Sequence, residues 1–288
     1  LENHLQPEGF SALWGPGVLV FVLVIGFLYF MLVGPWRQYF KHSQPVGRGA
    51  KAWFVAAMLV YYASQGSPLA YYAHNYLFSA HMLQMSLAYL AVPPMIYMAL
   101  PGWAIQAVLD SRLIKPWISL AMHPLITLLG FNFIFSMYHV PLIFNAVFDH
   151  PFYHQAVHFV LLFLAFHMWF PIFNTVSGRA ELSDLKKMGY IFADGVLLTP
   201  ACATIIFANK LLYEHYMNAP QLFFLLPPLD DQQLGGVIMK IAQEIIYGII
   251  LAHLFFTWYS KERKKEQEED ELLYAKLSAQ GKGNLNGV

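Results

Sequence analysis

FSAHMLQMSLAYLAVPPMIYMALPGW, residues 78–103, runs for 26 positions without an Asp, Glu, Lys or Arg. A helix of about 20 apolar residues crosses a hydrocarbon core, so this stretch predicts a span over 76–99. Its possible donor residues are grouped at one end: His81, Met82 and Met85 fall in the first three turns. Pro93-Pro94 and Pro101-Gly102 should bend or terminate the helix, because proline removes a donor and clashes with the previous turn.

Working outward, comparable stretches predict spans at roughly 17–35, 51–66, 118–140, 154–175, 188–208 and 235–259, seven in all. The second is the weakest. Its apolar run Ala52–Ala63 is short, and Ser64-Gln65-Gly66-Ser67-Pro68 interrupts it before Leu69–Ala73 resumes; a kink or an early end with a re-entrant piece is expected there. Composition agrees with a bilayer protein. The chain of 288 residues is 58% apolar and 12% charged, with a mean hydropathy of +0.47, whereas soluble domains carry about 45–50% apolar and roughly 25% charged residues. The formal charge is zero, which gives no bulk basicity for nucleic acid. The single cysteine, Cys202, excludes an intrachain disulfide framework and a cysteine-only metal site.

The basic residues set the orientation. Loop 36–51 carries Arg37, Lys41, Arg48 and Lys51; loop 100–117 carries Arg112 and Lys115; loop 176–187 carries Arg179, Lys186 and Lys187; and the C-terminal segment adds six more. On the opposite side only Lys210 appears, while Lys240 lies within the last span. Under the positive-inside rule the N-terminus is outside and the C-terminus cytoplasmic, which requires an odd number of crossings. The expected architecture is an all-α polytopic membrane protein: a seven-helix membrane domain over 1–260, then a cytoplasmic tail, 261–288, helical and finally disordered. No cleavable signal peptide is expected, since residues 1–16 lack a basic n-region.

In that orientation the histidines and methionines fall at one depth. His81, Met82 and Met85 open span 3, and Met137-Tyr138-His139 closes span 4. His154 and His158 open span 5 four residues apart, on one helix face, and Met239 lies about a turn into span 7. Imidazole with thioether is a soft, neutral donor set that suits monovalent copper, and neutral donors avoid the cost of burying carboxylates. The candidate metal ligands are therefore His81, Met82, Met85, His139, His154, His158 and Met239. The plainer reading stands beside this one: membrane-boundary histidines are common interfacial residues, and methionine is an ordinary core filler. Elsewhere, Lys240 and Glu244 at i, i+4 are expected to neutralise one another. Asp194 is expected to cap or hydrogen-bond a neighbouring helix, and His167 to be packed and hydrogen-bonded. Cys202 is expected far from the cluster in depth, without a role.

The run Phe78-Ser79-Ala80-His81-Met82-Leu83-Gln84-Met85, with Val92-Pro93-Pro94 and Leu100-Pro101-Gly102-Trp103, resembles the multi-pass cytochrome c oxidase assembly factor CtaG. So do Tyr138-His139-Val140-Pro141, the His154…His158 pair and Asp231-Gln232-Gln233-Leu234-Gly235-Gly236-Val237-Ile238-Met239. The resemblance covers about residues 10–260. It implies an accessory protein without turnover, in the plasma membrane of a bacterium, needed to assemble a caa-type haem–copper oxidase and handling copper as a chaperone at the outer face. It carries over to His81, Met82, His139, His154, His158 and Met239. Many members place a second histidine where this chain has Met85, and methionine favours the monovalent ion more strongly. The implied partners are oxidase subunits, membrane lipid and other copper chaperones, with a homo-oligomer left open and no nucleic acid. Two alternatives from the residues remain: a membrane haem-binding redox protein, since histidines facing one another across a bundle serve as axial ligands, and a copper transporter, which needs broken helices near the midplane. A scaffold that holds a partner subunit through apolar faces, without metal, is a third.

Overall fold

The computed structural model describes residues 9–111, 123–174 and 182–285. Among these the chain is helical, without strands. In chain order the helices of eight residues or more are α1 (Pro16–Val33), α2 (Arg48–Gln65), α3 (Pro68–Asn75), α4 (Phe78–Ala99), α5 (Gly102–Leu109), α6 (Pro124–Tyr138), α7 (Pro141–Phe148), α8 (Pro151–Phe173), α9 (Asp184–Ile206) and α10 (Pro228–Leu285). Arg112, Lys115, Arg179 and the expected start of the fourth span at 118–122 lie outside the described residues.

Proline writes many of these boundaries. Pro16, Pro68, Pro124, Pro141 and Pro151 each stand in the first turn of their helix, where the missing N–H would have had no partner in any case. Among the described residues five helices are long and apolar enough to cross a membrane: α1, α4, α8, α9 and α10. A sixth is formed if α6 and α7, bent by 76° at a short break, count as one span. The expected second span is the helix α2, eighteen residues long, but Arg48, Lys51, Ser64 and Gln65 dilute its apolarity. It ends where the sequence indicated: Gly66 closes it, Ser67 accepts from the Leu69 amide, and Pro68 starts α3.

The hub is α4, against which α2, α8 and α10 all pack. Pro93-Pro94 leave it unbroken but convert Ser86–Ala91 to a π turn. The two prolines take away the amide donors that would serve the Tyr89 carbonyl in either an α or a π pattern. The Trp169 indole of α8 donates to that carbonyl instead, at 3.1 Å. A side chain from the neighbouring helix thus repairs what the proline pair removes.

Two adjacent glycines seat α10 between α4 and α9. A Cβ at Gly235 would stand 2.6 Å from the Phe78 ring, and one at Gly236 would stand 2.8 Å from Ile206. Lipid tails are as apolar as leucine, so packing and interhelical hydrogen bonds rather than water exclusion hold such a bundle together. The core reflects this: Phe131, Phe135, Phe144, Phe148, Trp169 and Tyr213 are fully buried in one cluster. The outward residues, such as Leu23, Phe27, Phe159 and Ile249, are large and apolar. Beyond Ser260, α10 continues as an exposed charged helix, pinned at its start by Lys261 to Asp184 at 2.7 Å.

Candidate functional site

The site is assembled from the near ends of α4, α6, α8 and α10. The first turn of α4 has no capping side chain of its own, since Leu77 occupies that position. Asp231 of α10 supplies the cap from 153 residues away: its carboxylate accepts from the Phe78 amide at 2.7 Å, from the Ser79 amide at 3.4 Å and from the Ser79 hydroxyl. An anion at a helix N-terminus satisfies orphan amides and complements the helix dipole. This contact fixes the turn that carries His81 and Met82.

His81 is 1% exposed. Its ring centre lies 5.8 Å from that of His158 and 6.2 Å from that of Tyr138. His154 and His158 stand one turn apart on α8 with ring centres 4.4 Å apart. The Tyr89 hydroxyl meets His158 Nδ1 at 2.5 Å. His139 ends α6, and its Nδ1 lies 2.8 Å from the Phe135 carbonyl. A carbonyl only accepts, so Nδ1 carries the proton and donates; Nε2 is left as a bare lone pair. Backbone anchoring of one ring nitrogen is the usual support of a metal-binding imidazole.

The decisive feature is what these groups do not touch. Nε2 of His81, His139, His154 and His158, and the Tyr138 hydroxyl, are buried without a hydrogen-bond partner. Tyr138 lies in ring contact with His81, His139 and His158. Orphaned buried polar atoms are rare and cost about 1–3 kcal/mol each, and here five meet in one place. Met82, Met85 and Met239 are fully buried in the same core. Met239 receives the Ser86 hydroxyl at 2.8 Å, a hydroxyl that also lies 2.6 Å from the Met82 carbonyl.

All seven sequence candidates are therefore at this end of the bundle, but they are not equally joined. Ring contacts link His81, His154 and His158 directly, while His139 stands behind Tyr138. Among the described residues no group of three His, Cys, Asp or Glu side chains is placed to hold a metal ion. The donor set suits a soft monovalent ion in kind, being neutral nitrogen and sulfur with unshared lone pairs. A cavity of about 460 Å³ reaches His154, His158 and Tyr89, walled by Tyr61, Gln65 and Gln84; the two glutamine amides hydrogen-bond at 3.1 Å.

Outside the long helices, His74 of α3 is exposed and its ring centre is 5.4 Å from that of His154. Partial desolvation of its ring and the neighbouring His215 push it below the ordinary imidazole range, against the opposing pull of Asp149. His215 lies 2.9 Å from Asp149 through Nδ1 and 2.7 Å from the His74 carbonyl through Nε2.

Sequence reasoning missed the supporting residues. Tyr138 and Asp231 stand in stretches that carry the family resemblance, but neither has a role assigned there. One expectation is corrected: Cys202 is not remote in depth. Its carbonyl lies 3.2 Å from where a Gly236 Cβ would stand, one residue from the glycine that packs on Met82. The reason is helix direction, since α9 runs towards the site and Cys202 is in its last turn. Three side-chain expectations agree with the structure. Lys240 and Glu244 pair at 2.6 Å. Asp194 accepts from Asn132 and Tyr247 of the two neighbouring helices. His167 bonds the Phe163 carbonyl at 3.1 Å.

A family model described as cytochrome c oxidase caa3 assembly factor (Caa3_CtaG) matches residues 27–261, and the chain belongs to that family. Comparison with curated proteins and with solved structures returned no match.

Proposed function

We propose that this caa3 oxidase assembly factor holds monovalent copper as cargo in its His/Met cluster and passes it to an oxidase subunit. The observation that carries the reading is the set of unpartnered buried nitrogens on His81, His139, His154 and His158, beside three buried methionines. A bundle that left these atoms empty would bear their desolvation for nothing; a soft cation uses their lone pairs without adding a buried anion. His139 is held by its backbone hydrogen bond and His158 by Tyr89, so both present Nε2 in fixed directions. The imperfect convergence of the donors suits cargo that must leave again.

The topology that goes with this reading has seven crossings. α2 is counted as a span and α6 with α7 as a broken one, the N-terminus is outside and the C-terminus cytoplasmic. It rests on the one-sided distribution of basic residues. It puts the cluster at the outer face of a bacterial plasma membrane, among lipid, oxidase subunits and other copper chaperones, with self-association left open. The protein acts without turnover.

Metal analysis of the anaerobically purified full chain tests this. The wild type is expected to retain copper, and a variant with His81, His139, His154 and His158 replaced by phenylalanine is expected to retain none while still inserting in the membrane. Oxidase activity in cells should fall with the same variant. A wild type that binds no copper, or an oxidase indifferent to the variant, overturns the copper role. A Soret band in the wild type would put haem in its place.

A further inference from the structure

We propose that His74 is the outermost donor of a stepped path along which a soft monovalent cation reaches the buried cluster, moving from His74 to His154, His158 and His81. The path rests on the copper-cargo reading above and adds a direction and a residue to it. Four consecutive imidazoles lie in ring contact, with centres 5.4, 4.4 and 5.8 Å apart. An ion held by two imidazoles at about 2 Å sets their ring centres roughly 6 Å apart at most, so each neighbouring pair stands within sharing distance. Exposure falls along the series: His74 is exposed, His154 and His158 are half-buried, and His81 is 1% exposed.

The walls leave few other donors. The buried ring of Phe148 lies against His74 at 5.1 Å, His154 at 4.8 Å and His81 at 5.6 Å. This apolar lining offers nothing to a hard, hydrated cation, whereas a soft ion that sheds its water finds nitrogen at each step. His215 does not compete for the ion, because Asp149 and the His74 carbonyl engage both of its ring nitrogens. It holds the backbone of His74 instead, at the exposed end of the series. Each step is a ligand exchange. The bond from the ion to the outer imidazole nitrogen breaks as the bond to the next one forms; the ion stays monovalent, no electron is transferred, and the imidazoles remain neutral.

Stopped-flow loading of the anaerobic, detergent-purified full chain with monovalent copper released from a chromogenic chelator tests the path. His74→Ala and His74→Phe, the latter keeping the stacking on Phe148, should each slow loading by about tenfold or more. Copper bound at equilibrium should stay at the wild-type level, and His74→Met, which restores a soft donor, should recover the rate. Equal loading rates in a copper-binding wild type and in His74→Phe would overturn the path alone. So would a fall in bound copper at equilibrium, which would make His74 a ligand of the inner cluster rather than a step towards it. A wild type that takes up no copper would overturn the cargo reading, and the path with it.

Discussion

Asp194 and His139 are both polar, both deeply buried and both inside the same bundle, yet their surroundings are opposite. Around Asp194 the helices close on the charge. Asn132 of α6 and Tyr247 of α10 each donate to one carboxylate oxygen. Nearby, Tyr190 donates to the Met168 carbonyl at 2.8 Å and lies 3.0 Å from the Thr127 hydroxyl. The leftover atoms there are two amide oxygens, of Asn132 and Gln243, on side chains whose amide nitrogens are bonded. Around His139 the arrangement stays open: one nitrogen is tied to the backbone, and the other joins four further atoms with no partner. A polar group that knits helices is saturated by its neighbours, whereas one kept for an outside ligand is anchored on one side and bare on the other. The balance of hydrogen bonds separates the two surroundings where burial does not.

Substitutions sharpen or break this contrast, ranked here by their effect on stability. Asp194→Ala should cost the most, about 2–4 kcal/mol, because it strands Asn132 and Tyr247. Thermal unfolding in detergent measures it, and copper bound per folded molecule should not change. A variant as stable as the wild type would mean that the closed cluster is not structural. Asp231→Ala should cost about 1–2 kcal/mol through loss of the cap on α4, and in addition should weaken copper retention, since His81 and Met82 ride on that turn. His139→Phe should have the reverse signature. Removing an unpartnered buried polar atom should leave stability unchanged or raise it by about 1 kcal/mol, while copper retention falls; a large loss of stability would place His139 with Asp194 among the structural groups. The double change Lys240→Met with Glu244→Gln should do least, under about 1 kcal/mol, since the pair is partly exposed.

Much of the fold was legible because it depends on local composition. The apolar stretches became helices, and the interruption at Gly66-Ser67-Pro68 became a helix boundary. That His81, His139, His154, His158 and Met239 share one end of the bundle followed from their positions along each predicted span. What the sequence left hidden were contacts between distant segments. No local pattern says that Asp231 caps Phe78, that Trp169 repairs the Tyr89 carbonyl, or that Tyr138 lies among three imidazoles. Pro93-Pro94 was legible as a perturbation but not as a π turn, since the outcome depended on a donor arriving from α8. The misjudged depth of Cys202 has a different cause: α9 runs towards the site, so a residue late in it lies close to the cluster.

The cap that Asp231 places on α4 also sets an order of events in time. The helix bearing His81 and Met82 leaves the ribosome long before the residue that finishes its first turn, and Met239 arrives later still. A nascent or truncated chain lacking α10 therefore has neither the cap nor that methionine. The first turn of α4 is therefore finished only in a chain that has been translated to its last helix, so the site carries its own proof of completion.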